Sequence, residues 1–129
     1  MIAVDASAVL AILLNETDAM SLRGRLAQSP RSVMSAVNYW EALARAEVIH
    51  GQAGHALVEE LMTELKIAIA DVDAAMAREA AAAFARYRGR PARLNLGDCF
   101  AYALAQREGD GLLFKGGDFP RTDISPALP

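Results

Sequence analysis

Short apolar runs that stop at a polar residue alternate along this chain with longer stretches whose apolar positions recur every three or four residues, the rhythm of strands alternating with helices. Ile2-Ala3-Val4 predicts a buried strand ended by Asp5, and Asp5 or Ser7 caps a helix whose apolar run spans Ala8 to Leu14. Thr17 opens an amphipathic helix with Met20, Leu22 and Leu26 facing inward, broken by Ser29-Pro30. Ser32-Val33-Met34 predicts a second strand, with Ser35 capping a helix from about Ala36 to His50 that Gly51 ends. From about Gln52 to Lys66, Leu57, Leu61, Met62 and Leu65 oppose Glu59, Glu60 and Glu64 on a further amphipathic helix.

Ile67, Ile69 and Val72 alternate as a third strand, and Asp73 caps an Ala-rich helix that runs to about Tyr87 and stops at Gly89 and Pro91. Leu94 to Ala105 is a nearly all-apolar helix with Asn95 as its cap and Asp98 at the third position. Gly111 to Phe114 predicts a fourth strand, Lys115 to Pro120 the loop after it, Thr122 to Ile124 a last edge strand, and Ser125 to Pro129 a tail. Strands and helices in this order predict an α/β fold with a parallel central sheet covered by helices on both faces. With 129 residues and no linker or repeat, the expectation is a single domain, 1–129.

Composition narrows the class. A single cysteine, Cys99, excludes an internal disulfide, and with only His50 and His55 beside it a structural zinc site of the usual kind is not available; Cys99 reads as a small core residue. No basic region precedes the first apolar stretch, and Asp5 and Ser7 interrupt it far short of a membrane span, so a cytoplasmic protein without membrane attachment is expected. The net charge of −3 argues mildly against a nucleic-acid partner, unless several of the acids are gathered in one metal site.

Four acids invite that grouping. Asp5 follows the first strand, Glu41 lies in the helix after the second, Asp98 opens the helix before the fourth strand and Asp118 follows that strand. In an open parallel sheet the carboxyl ends of the strands form one rim where ligands bind, so Asp5 and Asp118 share the rim, and Glu41 and Asp98 reach it from helices. Each acid has a plain structural use as well. Asp98 suits a helix N-terminus, Glu41 can pair with Arg45 at i,i+4, and Asp118 after two glycines suits a turn. If the four converge, their mutual repulsion is relieved by protonation or by a divalent cation, and an all-oxygen set selects Mg²⁺ or Mn²⁺ over Zn²⁺. Such an ion suits hydrolysis of a phosphodiester.

The segments Ile2-Ala3-Val4-Asp5-Ala6-Ser7, Ser35 to Glu41, Leu96-Gly97-Asp98-Cys99-Phe100-Ala101 and Phe114 to Phe119 together resemble the PIN domain ribonucleases, specifically the VapC toxins of bacterial toxin–antitoxin modules. The resemblance covers nearly the whole chain. It implies a Rossmann-like parallel sheet, a Mg²⁺- or Mn²⁺-dependent endoribonuclease acting on RNA, a homodimer, and inhibition by a cognate VapB-like antitoxin. By position it implies that Asp5, Glu41, Asp98 and Asp118 are metal ligands and that Ser7 is a polar residue of the site. One departure is Gly117, where many members carry Asn or Asp before the last acid.

Sixteen acids less these four leaves twelve against thirteen Lys and Arg, so a near-neutral remainder does not exclude RNA. Arg86, Arg88, Arg90 and Arg93 form an acid-free cluster that reads either as a phosphate-facing patch or as a solvated helix end. Tyr39 and Trp40, beside Glu41, read as core or interface. The competing view from a different class is a non-catalytic α/β interaction module whose acids are caps and turn residues. An aspartate-nucleophile phosphatase is disfavoured, because Asp5-Ala6-Ser7 lacks a second acid two residues on, and no phosphate-binding loop or nucleophile elbow is present.

Overall fold

The computed structural model describes residues 1–129. Four parallel strands, β1 (Ile2–Val4), β2 (Ser32–Ser35), β3 (Ile67–Ala70) and β4 (Leu112–Leu113), form a sheet in the order β3-β2-β1-β4. The helices are α1 (Ala6–Leu13), α2 (Ala19–Gln28), α3 (Ala36–His50), α4 (Ala53–Glu64), α5 (Ala74–Tyr87) and α6 (Leu96–Glu108), and a 3₁₀ turn occupies Phe119–Arg121. No helix is long and apolar enough to cross a membrane.

Strands β1, β2 and β4 are buried along their whole length because helices cover both faces of the sheet there. Ile2 and Val4 point into a core closed by α1 to α4, with Met34, Val58 and Leu113 around them. Ala3, between them in sequence, points the other way into a core closed by α5 and α6, where it meets Val33, Leu104 and Leu112. Burying each such Val, Leu or Ile side chain contributes about 1.5–3 kcal/mol, so a three-residue strand is held by its surroundings and not by its own length. The all-round apolar α6 follows from the same sandwiching, with Cys99, Ala101, Ala103, Leu104 and Ala105 all buried.

Several expectations are corrected. Met20 is 84% exposed, so of the expected inward row only Leu22 and Leu26 are buried, together with Ala19. Ile69 is also exposed, because β3 is the sheet's outer strand and only Ile67 turns into the core; the strand ends at Ala70, short of Val72. The buried face of α3 is Asn38, Ala42 and Ala46, while Val48 is 86% exposed. No strand forms at Thr122 to Ile124. Thr122 Oγ1 instead donates to the Phe119 carbonyl, and the chain next meets the sheet through a bridge between Pro126 and Leu112. The tail is therefore docked: the Ala127 N–H bonds to the Leu112 carbonyl, and Arg25 Nε donates to the Ala127 carbonyl at 2.7 Å.

Helices α3 and α4 approach so closely that a Cβ built on Gly54 would lie 2.4 Å from the Ala46 carbonyl oxygen. Gly54→Ala must push backbone against backbone, with an expected cost of about 1–3 kcal/mol in urea unfolding. An unchanged midpoint would contradict this close approach.

Candidate active site

The carboxyl-end rim of the sheet holds a cleft of about 190 Å³ lined by Asp5, Ser7, Glu41, Arg45, Asn95, Asp98, Lys115 and Asp118, among others. All four acids singled out in the sequence, and Ser7, therefore meet in one place. Asp5 is carried there by β1, and it is fixed because one carboxylate oxygen, Oδ2, caps α1 by accepting the Ser7 N–H at 3.0 Å. Ser7 has a second task. Its Oγ accepts the Lys115 N–H at 3.0 Å, tying the loop that leads to Asp118 onto the start of α1.

Asp98 and Asn95 form a reciprocal capping box: Asp98 N–H donates to Asn95 Oδ1 at 2.9 Å, and Asn95 N–H donates to Asp98 Oδ2 at 3.0 Å. The capping and site explanations of Asp98 are thus compatible, since the box engages one carboxylate oxygen and leaves Oδ1 to the cleft. Asp118 is exposed in the loop after β4 and begins the 3₁₀ turn. The segment behind it is anchored by buried Phe119 packed on Phe114 and by the Asp123 carboxylate, which accepts the hydroxyls of Tyr87 and Tyr102.

Glu41 does not pair with Arg45. Its Oε1 accepts from Asn38 Nδ2 at 2.8 Å, and the same amide donates to the Gly97 carbonyl at 2.9 Å. Asn38 is itself completely buried; its Oδ1 accepts from Ser35 Oγ, the residue that caps α3. One amide thus joins the end of β2, the acid on α3 and the first turn of α6. The carboxylate of Glu41 lies so close to α6 that a Cβ on Gly97 would sit 2.1 Å from Oε2. Asn38 and Gly97 were not singled out in the sequence, although a polar residue three positions before an acid on one helix face was a signal for the first. Nothing in the sequence pattern revealed that Gly97 faces Glu41 from another helix.

The four arginines of the cluster stand elsewhere. Arg86 pairs with Asp123 and lies over the Tyr87 ring, Arg88 lies over Phe84, and none of the four lines the cleft. The cations that do are Arg45 and Lys115. Lys115 Nζ is held by Glu16 at 2.7 Å and Asp18 at 3.4 Å, whereas Arg45 takes part in no ion pair.

Gathering acids at a half-dry rim raises their affinity for protons. Burial pushes the Asp5 carboxyl up, with the Glu41 charge adding to it; burial also raises Glu41, and the Asp98 charge adds. Asp98 is pushed up to about 6, mainly by burial and further by the charges of Asp5 and Asp118, against the opposing bond from Asn95. The carboxylates line the cleft without closing on one point, so no three of them make a ready cage for a bare ion. The donor set is all oxygen, which fits Mg²⁺ or Mn²⁺, ions that keep several waters and take few carboxylates.

The raised pKa of Asp98 has a consequence for stability. Between about pH 4, where an unfolded Asp ionises, and the folded value of about 6, the folded chain holds a proton that the unfolded chain has released. Stability from this group therefore falls as pH rises through that window and stays lost above it. In chelator, Asp98→Asn should gain stability relative to the parent protein as pH rises, read as a growing difference in Tm; a constant difference would contradict the assigned shift.

The PIN domain family profile matches residues 2–125. Ribonuclease VapC42 of Mycobacterium tuberculosis is 46% identical over 127 residues, covering 96% of this chain and 97% of the relative. Ribonuclease VapC of Mycolicibacterium smegmatis is 41% identical over 124 residues, covering 95% and 96%. Among solved structures, Mycobacterium tuberculosis VapC20, described as a sarcin-ricin loop cleaving toxin, superposes with a TM-score of 0.78 at 17% identity over 97% of each chain. A toxin–antitoxin complex from Klebsiella pneumoniae gives a TM-score of 0.70 at 18% identity, covering 95% of this chain and 93% of that one. Relatives aligned end to end at this identity leave no room for a different assignment: the chain belongs to the PIN domain family, among its VapC ribonucleases.

Proposed function

We propose that this protein is a divalent-metal-dependent endoribonuclease, the toxin of a toxin–antitoxin module, with Asp5, Asp98 and Asp118 holding Mg²⁺ or Mn²⁺ directly or through water and Glu41 either completing the shell or polarising the attacking water. The single observation that carries the reading is the convergence of four carboxylates from β1, α3, α6 and the loop after β4 on one cleft, three of them with raised proton affinity. Caps and turn residues alone have no reason to converge. An ion bound there supplies charge neutralisation at a phosphoryl oxygen and lowers the pKa of water.

The chain's own residues do the rest. Ser7 and the Asn95 box hold Asp5 and Asp98 with fixed oxygens, so that little reorganisation is needed when substrate arrives. The Asp98 charge adds to the raised proton affinity of Glu41, and the proton released by the attacking water is assigned to no single carboxylate of the cleft. In-line attack on phosphorus with departure of the 3′ oxygen leaves a 5′-phosphate product. Asn38 and Gly97 are positioning residues, since they set where the Glu41 carboxylate can lie.

Partners follow from the same family membership. We infer a VapB-like antitoxin as the cognate inhibitor, in keeping with the toxin–antitoxin complex among the structural neighbours. A homodimer is favoured by the apolar surface where α5 meets α6, at which Phe84 and Leu96 remain exposed around Ala77, Ala81 and Phe100. The chain as a single domain, 1–129, is part of this reading.

Purified protein with Mg²⁺ or Mn²⁺ should cut RNA, and chelator should abolish cutting. Asp98→Asn should lower kcat by at least about a hundredfold, more than the loss usual for a residue behind a metal ligand. Cleavage that withstands both changes would reject the metal reading. Gly97→Ala should displace Glu41 and reduce cleavage by about a hundredfold while the protein stays folded, the scale expected of an ångström-sized misplacement. Undiminished cleavage would remove Glu41's location from the account.

A further inference from the structure

Beside the acidic cleft lies an open surface patch formed by Trp40, Glu41, Ala44, Arg45, Val48 and Ile49. All six come from α3, as two adjacent rows at helical spacing: Trp40, Ala44 and Val48 in one, Glu41, Arg45 and Ile49 in the other. Trp40 is 66% exposed and Val48 is 86% exposed, so this face of the helix is not part of the core. Glu41 and Arg45 belong to both the cleft and the patch, which makes Arg45 the boundary between the acids and the apolar surface. Lys115 is held by Glu16 and Asp18, whereas the Arg45 guanidinium makes no ion pair and acts on the nearby Glu41 only through its charge.

We propose that this surface is a nucleotide subsite for the substrate strand, in which Arg45 takes the phosphate next to the scissile one and the Trp40 indole stacks the base that follows. The proposal rests on the ribonuclease reading and adds to it a place for the flanking nucleotide. An RNA strand whose scissile phosphate lies among four carboxylates needs a cation to hold its neighbouring phosphate, and Arg45 is the uncommitted one at the edge of that cleft. A guanidinium bonds two phosphate oxygens with fixed geometry and also stacks on rings, while an indole face accepts any base. The subsite therefore supplies affinity and direction to a single strand without reading sequence. A purely apolar partner would use Trp40, Val48 and Ile49 and leave Arg45 unmatched.

Trp40 is the only tryptophan of the chain, so its emission reports the stack directly. A short single-stranded RNA of randomised sequence is titrated into the protein in chelator, following anisotropy of a label on the RNA and Trp40 fluorescence together. Saturable quenching with the same midpoint as the anisotropy is expected. Arg45→Ala should weaken binding about tenfold and reduce the slope of log affinity against log salt by about 0.7, whereas Arg45→Lys keeps the slope. Trp40→Ala should weaken binding about tenfold with the slope unchanged, and Trp40→Phe should restore most of it. Arg31→Ala, a charge change at the opposite end of β2, serves as the control.

RNA that binds without quenching Trp40, or affinities that Arg45→Ala and Trp40→Ala leave unchanged, would overturn the subsite. If the parent protein cuts RNA while both variants bind normally, the subsite alone fails and the ribonuclease reading stands. A parent protein that neither binds nor cuts RNA would overturn both. A loss of kcat in Arg45→Ala with KM unchanged and the pH profile moved would assign Arg45 to Glu41's ionisation and likewise reject the phosphate contact.

Discussion

The structure depends on holding like charges together where water is scarce. Asp5, Glu41 and Asp98 sit on the rim of a sheet held between two apolar cores, and each holds its proton more tightly than a free carboxyl. Folding alone gains nothing from such an arrangement, because the repulsion and the lost hydration oppose it. The surroundings must therefore impose it. They do so by engaging one oxygen of each acid: the Ser7 N–H at Asp5, the Asn38 amide at Glu41 and the Asn95 N–H at Asp98. The strain is kept local, since these bonds are also helix caps or helix ties that the fold needs.

The two apolar cores make this imposition possible. Four helices on one face and two on the other bury β1 completely, so the carboxyl end of that strand is a fixed point from which Asp5 emerges. Asn38 then couples the two sides, reaching from α3 on one face to the first turn of α6 on the other. Around the acids, charge is arranged unevenly: Lys115 is spent on Glu16 and Asp18, while Arg45 is left facing the cleft. A site that neutralises its own acids with its own cations would have little use for an added ion or a phosphate, and this one does not do so.

Much of this was legible in the sequence because it rests on local patterns. Runs such as Ile2-Ala3-Val4 ended by Asp5, and caps such as Ser35, Asp73 and Asn95, follow from short-range chemistry, and the structure places those caps as expected. What was not legible depends on contacts between distant segments. Ile69 looked like a core residue until β3 proved to be the outer strand, and Thr122 to Ile124 looked like a strand until Asp123 was found held by Tyr87 and Tyr102. At the site, the four acids and Ser7 were readable from their flanks. The opposition of Gly97 to Glu41 was not, because it joins residues 56 positions apart through packing alone. The arginines of 86–93 were conspicuous by composition, yet a single arginine one turn beyond Glu41 is the one on the cleft.

On the proposed function, the convergent acids exchange their protons for a divalent ion. Calorimetric titration of Mn²⁺ into the protein near pH 6, the value to which Asp98 is pushed, repeated in buffers of different ionisation enthalpy, measures that exchange directly. Binding accompanied by proton release is expected, with less release at about pH 8, where Asp98 is already ionised, and loss of binding in Asp98→Asn. Binding with no proton release at either pH, or with equal affinity in Asp98→Asn, would contradict it.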